Sequence, residues 1–422
     1  MKIEQLHSLF LECGAVSTDT RKIKNNDLFF ALKGENFNGN SYATKALKTG
    51  AKFAVIDEKE YQIPDKTILV ENALETLQAL ARFHRIYLKL PIIALTGSNG
   101  KTTTKELINC VLSQNFKTTA TLGNLNNHIG VPLTLLSMNQ NTEIGIVEMG
   151  ANHQKEIDFL CNIAKPDFGY ITNFGKAHLE GFGSVEGVIK GKSEMYNYLI
   201  ANNKTVFVNS NDKIQINKTE YAKRFTFGTK NTDADINFIE AQPFVISKFE
   251  DSIITSQLIG DYNFNNIAAA IAIGKYFKVD TISIKSAIES YRPTNNRSQI
   301  IEKASNKIIL DAYNANPTSM RAALLNLEKQ EGHKTAILGD MFELGSEAIS
   351  EHQTIADLAI SLNIQSIILV GENFFTTITK SERLKKYNSY SNLEETVNIS
   401  EIKDSTILIK GSRGMALERI LN

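Results

Sequence analysis

PIIALTGSNGKTTTKELI, residues 91–108, runs from an apolar segment through a glycine-bearing turn into a helix-forming segment. A buried strand, a tight turn and a helix form the opening unit of a parallel sheet covered on both faces. The turn ends in Gly100-Lys101-Thr102, as a phosphate-binding loop does. The usual spacing is G-x-x-x-x-G-K-[ST], but here Gly97 is three residues before Gly100 and Leu95 stands at the first glycine position. The loop is therefore a compact variant. Gly97 and Gly100 allow close backbone approach, and a helix from about Thr102 points its free N–H groups at an anion. Lys101 can neutralise phosphate charge, while the Thr102 hydroxyl can join a Mg²⁺ shell. The competing reading is a plain strand-to-helix turn with a chance Gly-Lys-Thr, but a strand before and a helix after are the context a phosphate loop requires. G-x-G-x-x-G is absent here, so a nucleoside triphosphate is favoured over a dinucleotide.

Outward from this unit the pattern repeats. IGIVEMG, FGYITNFG, KIILDAYNAN, KTAILGDM, SIILVGE and STILIKGS all read as buried strands leaving into polar or glycine-containing loops. Such strands build α/β sheets whose ligands gather at the carboxyl ends. Before Pro91, LQALARFHRIYLKL reads as a helix that the proline stops. Around SYRPTNNRSQ, residues 290–299, the helix TISIKSAIESY gives way to turn chemistry and a new run of strands. Three domains are expected: 1–88, 89–292 and 293–422. That number agrees with 422 residues at roughly 100–200 residues per domain.

Hydrophobic residues make up 42% and charged residues 22%, which excludes a disordered chain. Lys plus Arg equals Asp plus Glu at 46 each, so no global field draws the chain to nucleic acid or anionic lipid. The N-terminal MKIEQLHSLFLECGAVS lacks the basic flank and continuous apolar core of a signal peptide, and no run approaches the roughly 18 apolar residues of a spanning helix. Cys13, Cys110 and Cys161 imply neither a disulfide framework nor a metal knuckle. No repeat of 20–50 residues is visible, which argues against solenoids. A cytoplasmic monomer that contacts neither nucleic acid nor membrane is the expectation.

Mg²⁺ prefers carboxylates, phosphates and water, so the partner of Thr102 should lie at the end of a neighbouring strand. Glu148, before Gly150 in EIGIVEMG, fits, although a strand-end carboxylate can equally face solvent. The next strand ends at Asn173 and leads to His178 in a loop, where an isolated His is ordinarily a surface residue. Lys190 and Lys192, at the expected start of a helix, read by themselves as solvated lysines.

TGSNGKTT, EMGAN, TNFGKAHLEGFGS, the lysine of GKSE, GDYNFNNIAAA and DAYNANPTSM together resemble the Mur ligases of peptidoglycan synthesis. DAYNANPTSM with GDMFELG points to the branch that joins D-alanyl-D-alanine to UDP-N-acetylmuramoyl-tripeptide. The resemblance spans nearly the whole chain, from STDTRKIKNNDLFFALKGENFNGNSY to IKGSRGMALERI. It implies a small N-terminal α/β substrate domain, a central phosphate-loop-type sheet that binds ATP, and a C-terminal Rossmann-like domain.

By the same resemblance, Gly97, Asn99, Gly100, Lys101, Thr102 and Thr103 would wrap the ATP phosphates. Thr102 and Glu148 would hold one Mg²⁺ and His178 a second. Lys192 matches the lysine that the family carries as a carbamate formed with CO₂, a further metal ligand. Asn263 and Asn266 would lie near adenine, Arg297 would reach the γ-phosphate, and Asp311 would meet the ribose. Ser17, Thr18, Arg21, Lys33 and Gly34 would bind the UDP part of the substrate. Asn124, Asn126 and Asn127 would line its path, although such asparagines are also ordinary turn residues. Tyr313, Asn314 and Asn316 would sit beside nucleotide and incoming dipeptide. Tyr262 stands where the family usually has His, and Asn38-Gly39-Asn40 replaces a common Asp-Gly-His.

The implied reaction runs through an acyl phosphate, and closure of the third domain on the second should precede it. Its alternatives are a ligase adding a single amino acid, such as another Mur ligase or folylpolyglutamate synthase, and a non-catalytic protein that uses ATP only to close its domains.

Overall fold

The computed structural model describes residues 1–421 and contains three main sheets. The first is fully parallel, with Val16–Ser17, Leu28–Phe30, Phe53–Ile56 and Thr67–Leu69 in spatial order. A short antiparallel pair, Lys33–Gly34 with Phe37–Asn38, projects beside it. The helix Ala73–Leu88 then leads to the second sheet; Asn72 caps its start by accepting from the Leu74 and Glu75 N–H groups. It ends at Leu88, with Lys89 in a left-handed conformation, two residues before the proline that cannot continue it.

The second sheet carries Thr118–Ala120, Ile144–Glu148, Ile92–Thr96, Phe168–Ile171, Thr205–Asn209, Lys223–Gly228 and Ala234–Glu240 in that spatial order, all parallel. Alternate residues of its strands serve opposite layers, as the two-residue period requires. Ile93 and Leu95 pack with Leu107, Ile108 and Val111 of the helix Lys101–Leu112 and with Ile267 and Ile271 of the helix Asn263–Tyr276. Ile92 and Ala94 face Val131, Leu160 and Met195 on three helices of the other layer. Burial on both faces explains why these strands read as continuous apolar runs. Ile246–Phe249 and Ser252–Thr255 extend the sheet with antiparallel pairing, an edge hairpin that the all-parallel pattern upstream did not announce.

The third sheet has the order Gln299–Lys303, Asn306–Asp311, Ser405–Lys410, His333–Gly339, Ser366–Val370 and Leu384–Tyr387. Only its first pair is antiparallel. The last strand of the chain inserts in the middle, which brings the ends of Asn306–Asp311 and Ser405–Lys410 side by side. Among the described residues no helix is long and apolar enough to cross a membrane.

Candidate active site

Register places Leu95 beside Glu148 and Thr96 beside Ile171, so three strands of the second sheet open at one edge. The turn Gly97–Gly100 lies at that edge, with φ of 144° at Gly97 and 80° at Gly100. Both values favour glycine. Space demands it as well: a Cβ on Gly97 would stand 1.9 Å from Thr172 Oγ1, and one on Gly100 would stand 2.5 Å from Asn266 Oδ1. The helix begins at Lys101, leaving the N–H groups of its first turn free for an anion. Lys101 Nζ folds back to donate to the Gly97 carbonyl at 2.7 Å. Burial pulls this ammonium below its ordinary pKa, Glu148 opposes the shift, and Arg297 adds to it.

Thr102 Oγ1 donates to Glu148 Oε2 at 3.0 Å, and Asn126 Nδ2 donates to Glu148 Oε1 at 2.8 Å. Glu148 is 1% exposed, so the strand-end carboxylate faces the cleft and not solvent. His178, left-handed with φ of 53°, precedes the short helix Leu179–Phe182, and its Nδ1 lies 2.5 Å from Glu343 Oε2 on the third unit. That contact holds the Glu343 carboxyl below its usual range. Lys192 is 1% exposed, with Nζ 5.2 Å from the centre of the Phe182 ring. Burial first and Lys101 second push its pKa well down. It lies two turns into the helix Val185–Ala201 and not at the start, which corrects the sequence expectation for Lys190 and Lys192.

The third unit closes the cleft. Asp311 Oδ2 accepts from Lys410 Nζ at 2.5 Å, and Oδ1 accepts from the Ser298 N–H at 3.0 Å. The Arg297 guanidinium stacks 3.7 Å from the Tyr313 ring centre, and its buried Nε has no hydrogen-bond partner. Asn316 Nδ2 donates to Asn99 Oδ1 at 2.7 Å, tying the phosphate-loop turn to the helix Pro317–Glu328 that Asn316 itself caps. The resulting cavity, 560 Å³, is lined by Asn99, Gly100, Lys101, Thr102 and Thr103 on one side and Arg297, Asp311, Tyr313, Asn314 and Asn316 on the other. Glu148, His178, Asn263 and Asn266 also line it.

Asn263 and Asn266 are buried at one wall, where Asn266 donates to Asn263 and accepts from Thr104 Oγ1. Of the asparagines in GNLNNHIGV, Asn124 is exposed and lines the cavity, Asn126 orients Glu148, and Asn127 Oδ1 accepts from the Ile129 and Gly130 N–H groups. Ser17, Thr18, Arg21, Lys33 and Gly34 do not line this cavity. They lie with the first sheet, where Arg21 pairs with Asp19, and Lys33 with Asp57 and Glu58. Sequence reading missed Lys410 and Glu343, whose partners are 99 and 165 positions away in the chain. Only the strand order that joins distant segments could reveal them.

The donors suit a nucleotide with Mg²⁺. Thr102 and Glu148 present hard oxygens at one buried point, as that ion prefers. Among the described residues no three His, Cys, Asp or Glu converge as a self-sufficient metal site, so phosphate oxygens or a modified Lys192 would have to complete the shell.

The Mur ligase family catalytic domain model matches residues 13–85, the Mur ligase middle domain model 95–274, and the Mur ligase glutamate ligase domain model 296–413. The chain is 36% identical to UDP-N-acetylmuramoyl-tripeptide–D-alanyl-D-alanine ligase of Bacillus subtilis, covering 96% of this chain and 92% of that one. It is 32% identical to the protein of the same name from Escherichia coli, covering 99% and 95%. Among solved structures, MurF from Acinetobacter baumannii superposes with a TM-score of 0.88 at 28% identity over 100% of this chain and 97% of that one. MurF ligase from Thermotoga maritima in complex with ADP gives 0.83 at 27% identity over 98% and 97%.

Proposed function

The chain belongs to the Mur ligase family, and we propose that it joins D-alanyl-D-alanine to UDP-N-acetylmuramoyl-tripeptide with cleavage of ATP to ADP and phosphate. The observation that carries this reading is the meeting of Lys101, on the helix that follows a strand of the second sheet, and Arg297, in the segment that enters the third sheet, in one cavity that the Thr102–Glu148 pair also lines. Full-length similarity to relatives of that name supports the substrate pair.

A carboxylate does not acylate an amine at useful rates because oxide is a poor leaving group. In the proposed reaction an oxygen of the tripeptide's terminal carboxylate attacks the γ-phosphorus, and ADP leaves. The dipeptide amine then attacks the acyl carbon, loses a proton, and phosphate departs with the former carboxylate oxygen. The first step brings two anions together. Lys101 and Arg297 clamp the transferring group and offset its charge, and the free N–H groups after Gly100 position the phosphates. Bound Mg²⁺ supplies further charge stabilisation; Thr102 and Glu148 would hold one ion, and His178 with a carbamylated Lys192 a second. Lys192 suits carbamylation because burial favours its neutral amine, the form that combines with CO₂. Asn263 and Asn266 are assigned to adenine, Asp311 to ribose, and Tyr313, Asn314 and Asn316 to the nucleotide and dipeptide.

We assign residues 1–88 to the UDP-bearing substrate through Ser17, Thr18, Arg21, Lys33 and Gly34, 89–292 to ATP, and 293–422 to closure over the site. Asn124, Asn126 and Asn127 would line the substrate's path between the first two. The test is phosphate release by the purified protein with ATP, Mg²⁺ and UDP-N-acetylmuramoyl-tripeptide. Addition of D-alanyl-D-alanine should raise steady-state release and yield the pentapeptide product. Release that ignores the dipeptide, or equal product formation with a single amino acid, contradicts the reading.

A further inference from the structure

Lys101 and Arg297 must grip the same triphosphate from two different units, so something must fix the distance between them. Glu106 lies on the helix that Lys101 begins, on the side facing the linker between the second and third sheets. Its Oε2 accepts from the Tyr291 hydroxyl at 2.5 Å, and Asn295 Nδ2 lies 3.0 Å from Oε1 and 3.2 Å from Oε2. Tyr291 is buried and directly follows the helix Thr281–Ser290. Asn295 is two residues before Arg297, and the backbone is left-handed on both sides of that arginine, with φ of 55° at Asn296 and 52° at Ser298. Beyond this point the linker is bound to the third unit: Tyr313 N–H donates to the Asn296 carbonyl and Ser298 N–H to Asp311. Arg297 therefore sits where the chain passes from one anchorage to the other.

We propose that Glu106 is a positioning residue: by holding Tyr291 and Asn295 it references the Arg297 guanidinium to the helix that carries Lys101. The inference rests on the ATP-dependent reading above. Glu106 touches no reacting atom, and its effect passes through Arg297. Misplacement of a phosphate-clamping group by about 1 Å costs up to about 10²-fold in rate. Loss of the anchor should accordingly lower kcat more than it raises the KM for ATP.

The test is a double-mutant cycle with Glu106→Ala, Arg297→Ala and the pair, reading kcat, KM for ATP and melting temperature. Glu106→Ala should lower kcat about tenfold, and in the Arg297→Ala background the same change should alter kcat less than about twofold. Asn295→Ala, which leaves the helix untouched, should reproduce part of the loss. Glu106→Gln should retain at least about a third of kcat, because its amide oxygen can accept from Tyr291 and its NH2 can donate to Asn295 Oδ1, now buried without a partner, once the Asn295 amide turns over to present that oxygen in place of Nδ2. Equal kcat in Glu106→Ala and the parent overturns the proposal. So does a loss of the same factor with or without Arg297, or one that follows the melting temperature across all variants. An inactive parent protein would instead count against the ligase reading itself.

Discussion

Glu148 shows how much one side chain depends on its supports. Its two oxygens accept from Thr102 and Asn126, and its N–H donates to Thr121 Oγ1. Glu148→Gln keeps the shape and can retain one of the side-chain bonds, yet removes the charge from a hard-cation site. Turnover should fall by about 10²-fold with a raised Mg²⁺ requirement and a melting temperature within a few degrees of the parent. A Mg²⁺ titration that leaves both parameters unchanged would separate Glu148 from the metal. Lys192 gives a second prediction. Protonation competes with CO₂ for its amine, so stripping bicarbonate at mildly acidic pH should slow turnover, and Lys192→Ala should lower kcat far more than ATP affinity. An unchanged rate together with no carbamate on Lys192 in a crystal would refute this. Residue types were legible here where the motif is contiguous, as in Gly97 to Thr103. Burial was not: nothing in the local sequence of Lys192 distinguishes a solvated lysine from one sealed under the Phe182 ring.

At the level of elements, the turn between strand and helix is shaped by what surrounds it. Gly97→Ala would force a Cβ against Thr172 at a φ that side chains rarely adopt. Destabilisation of about 1–3 kcal/mol and loss of nucleotide binding should appear together in a thermal melt with and without ADP. A second device joins the N-terminal helix Ile3–Leu11 to its neighbours. His7 Nε2 lies 3.0 Å from His84 Nδ1, and His84 Nε2 lies 2.9 Å from the Met138 carbonyl, so the neutral rings form a chain across three segments. Burial and the neighbouring His84 pull His7 down to about 4 from 6.5. Between these values the unfolded chain binds more protons than the folded one. Stability from this group is complete above about 6.5 and is lost as pH falls through about 4. The denaturation midpoint should drop across that window, and His7→Phe should flatten the drop; parallel profiles would exclude the pair as its source. The buried parallel strands were readable as apolar runs with glycine-bearing exits. The edge hairpin at 246–255 was not, because its alternating residues face different surroundings and its pairing depends on where the sheet ends.

Across the whole molecule, the cavity exists only because the third unit is docked. Asn316 reaches Asn99, Lys176 pairs with Glu351 at 2.5 Å, and Lys329 pairs with Asp261 at 2.9 Å. The last two are partly exposed ion pairs, a kind that contributes little individually. The breaks between the strands of one sheet and those of the next, at Pro91 and near residue 295, could be read from proline and turn chemistry, whereas the distances between the sheets could not. The central claim is that this cavity lets a carboxylate attack ATP. It is tested most directly by supplying UDP-N-acetylmuramoyl-tripeptide labelled with ¹⁸O in its terminal carboxylate, together with ATP, Mg²⁺ and D-alanyl-D-alanine, and analysing the released phosphate by mass. An acyl phosphate predicts one ¹⁸O from that carboxylate in each phosphate formed with product; product accompanied by unlabelled phosphate would contradict it.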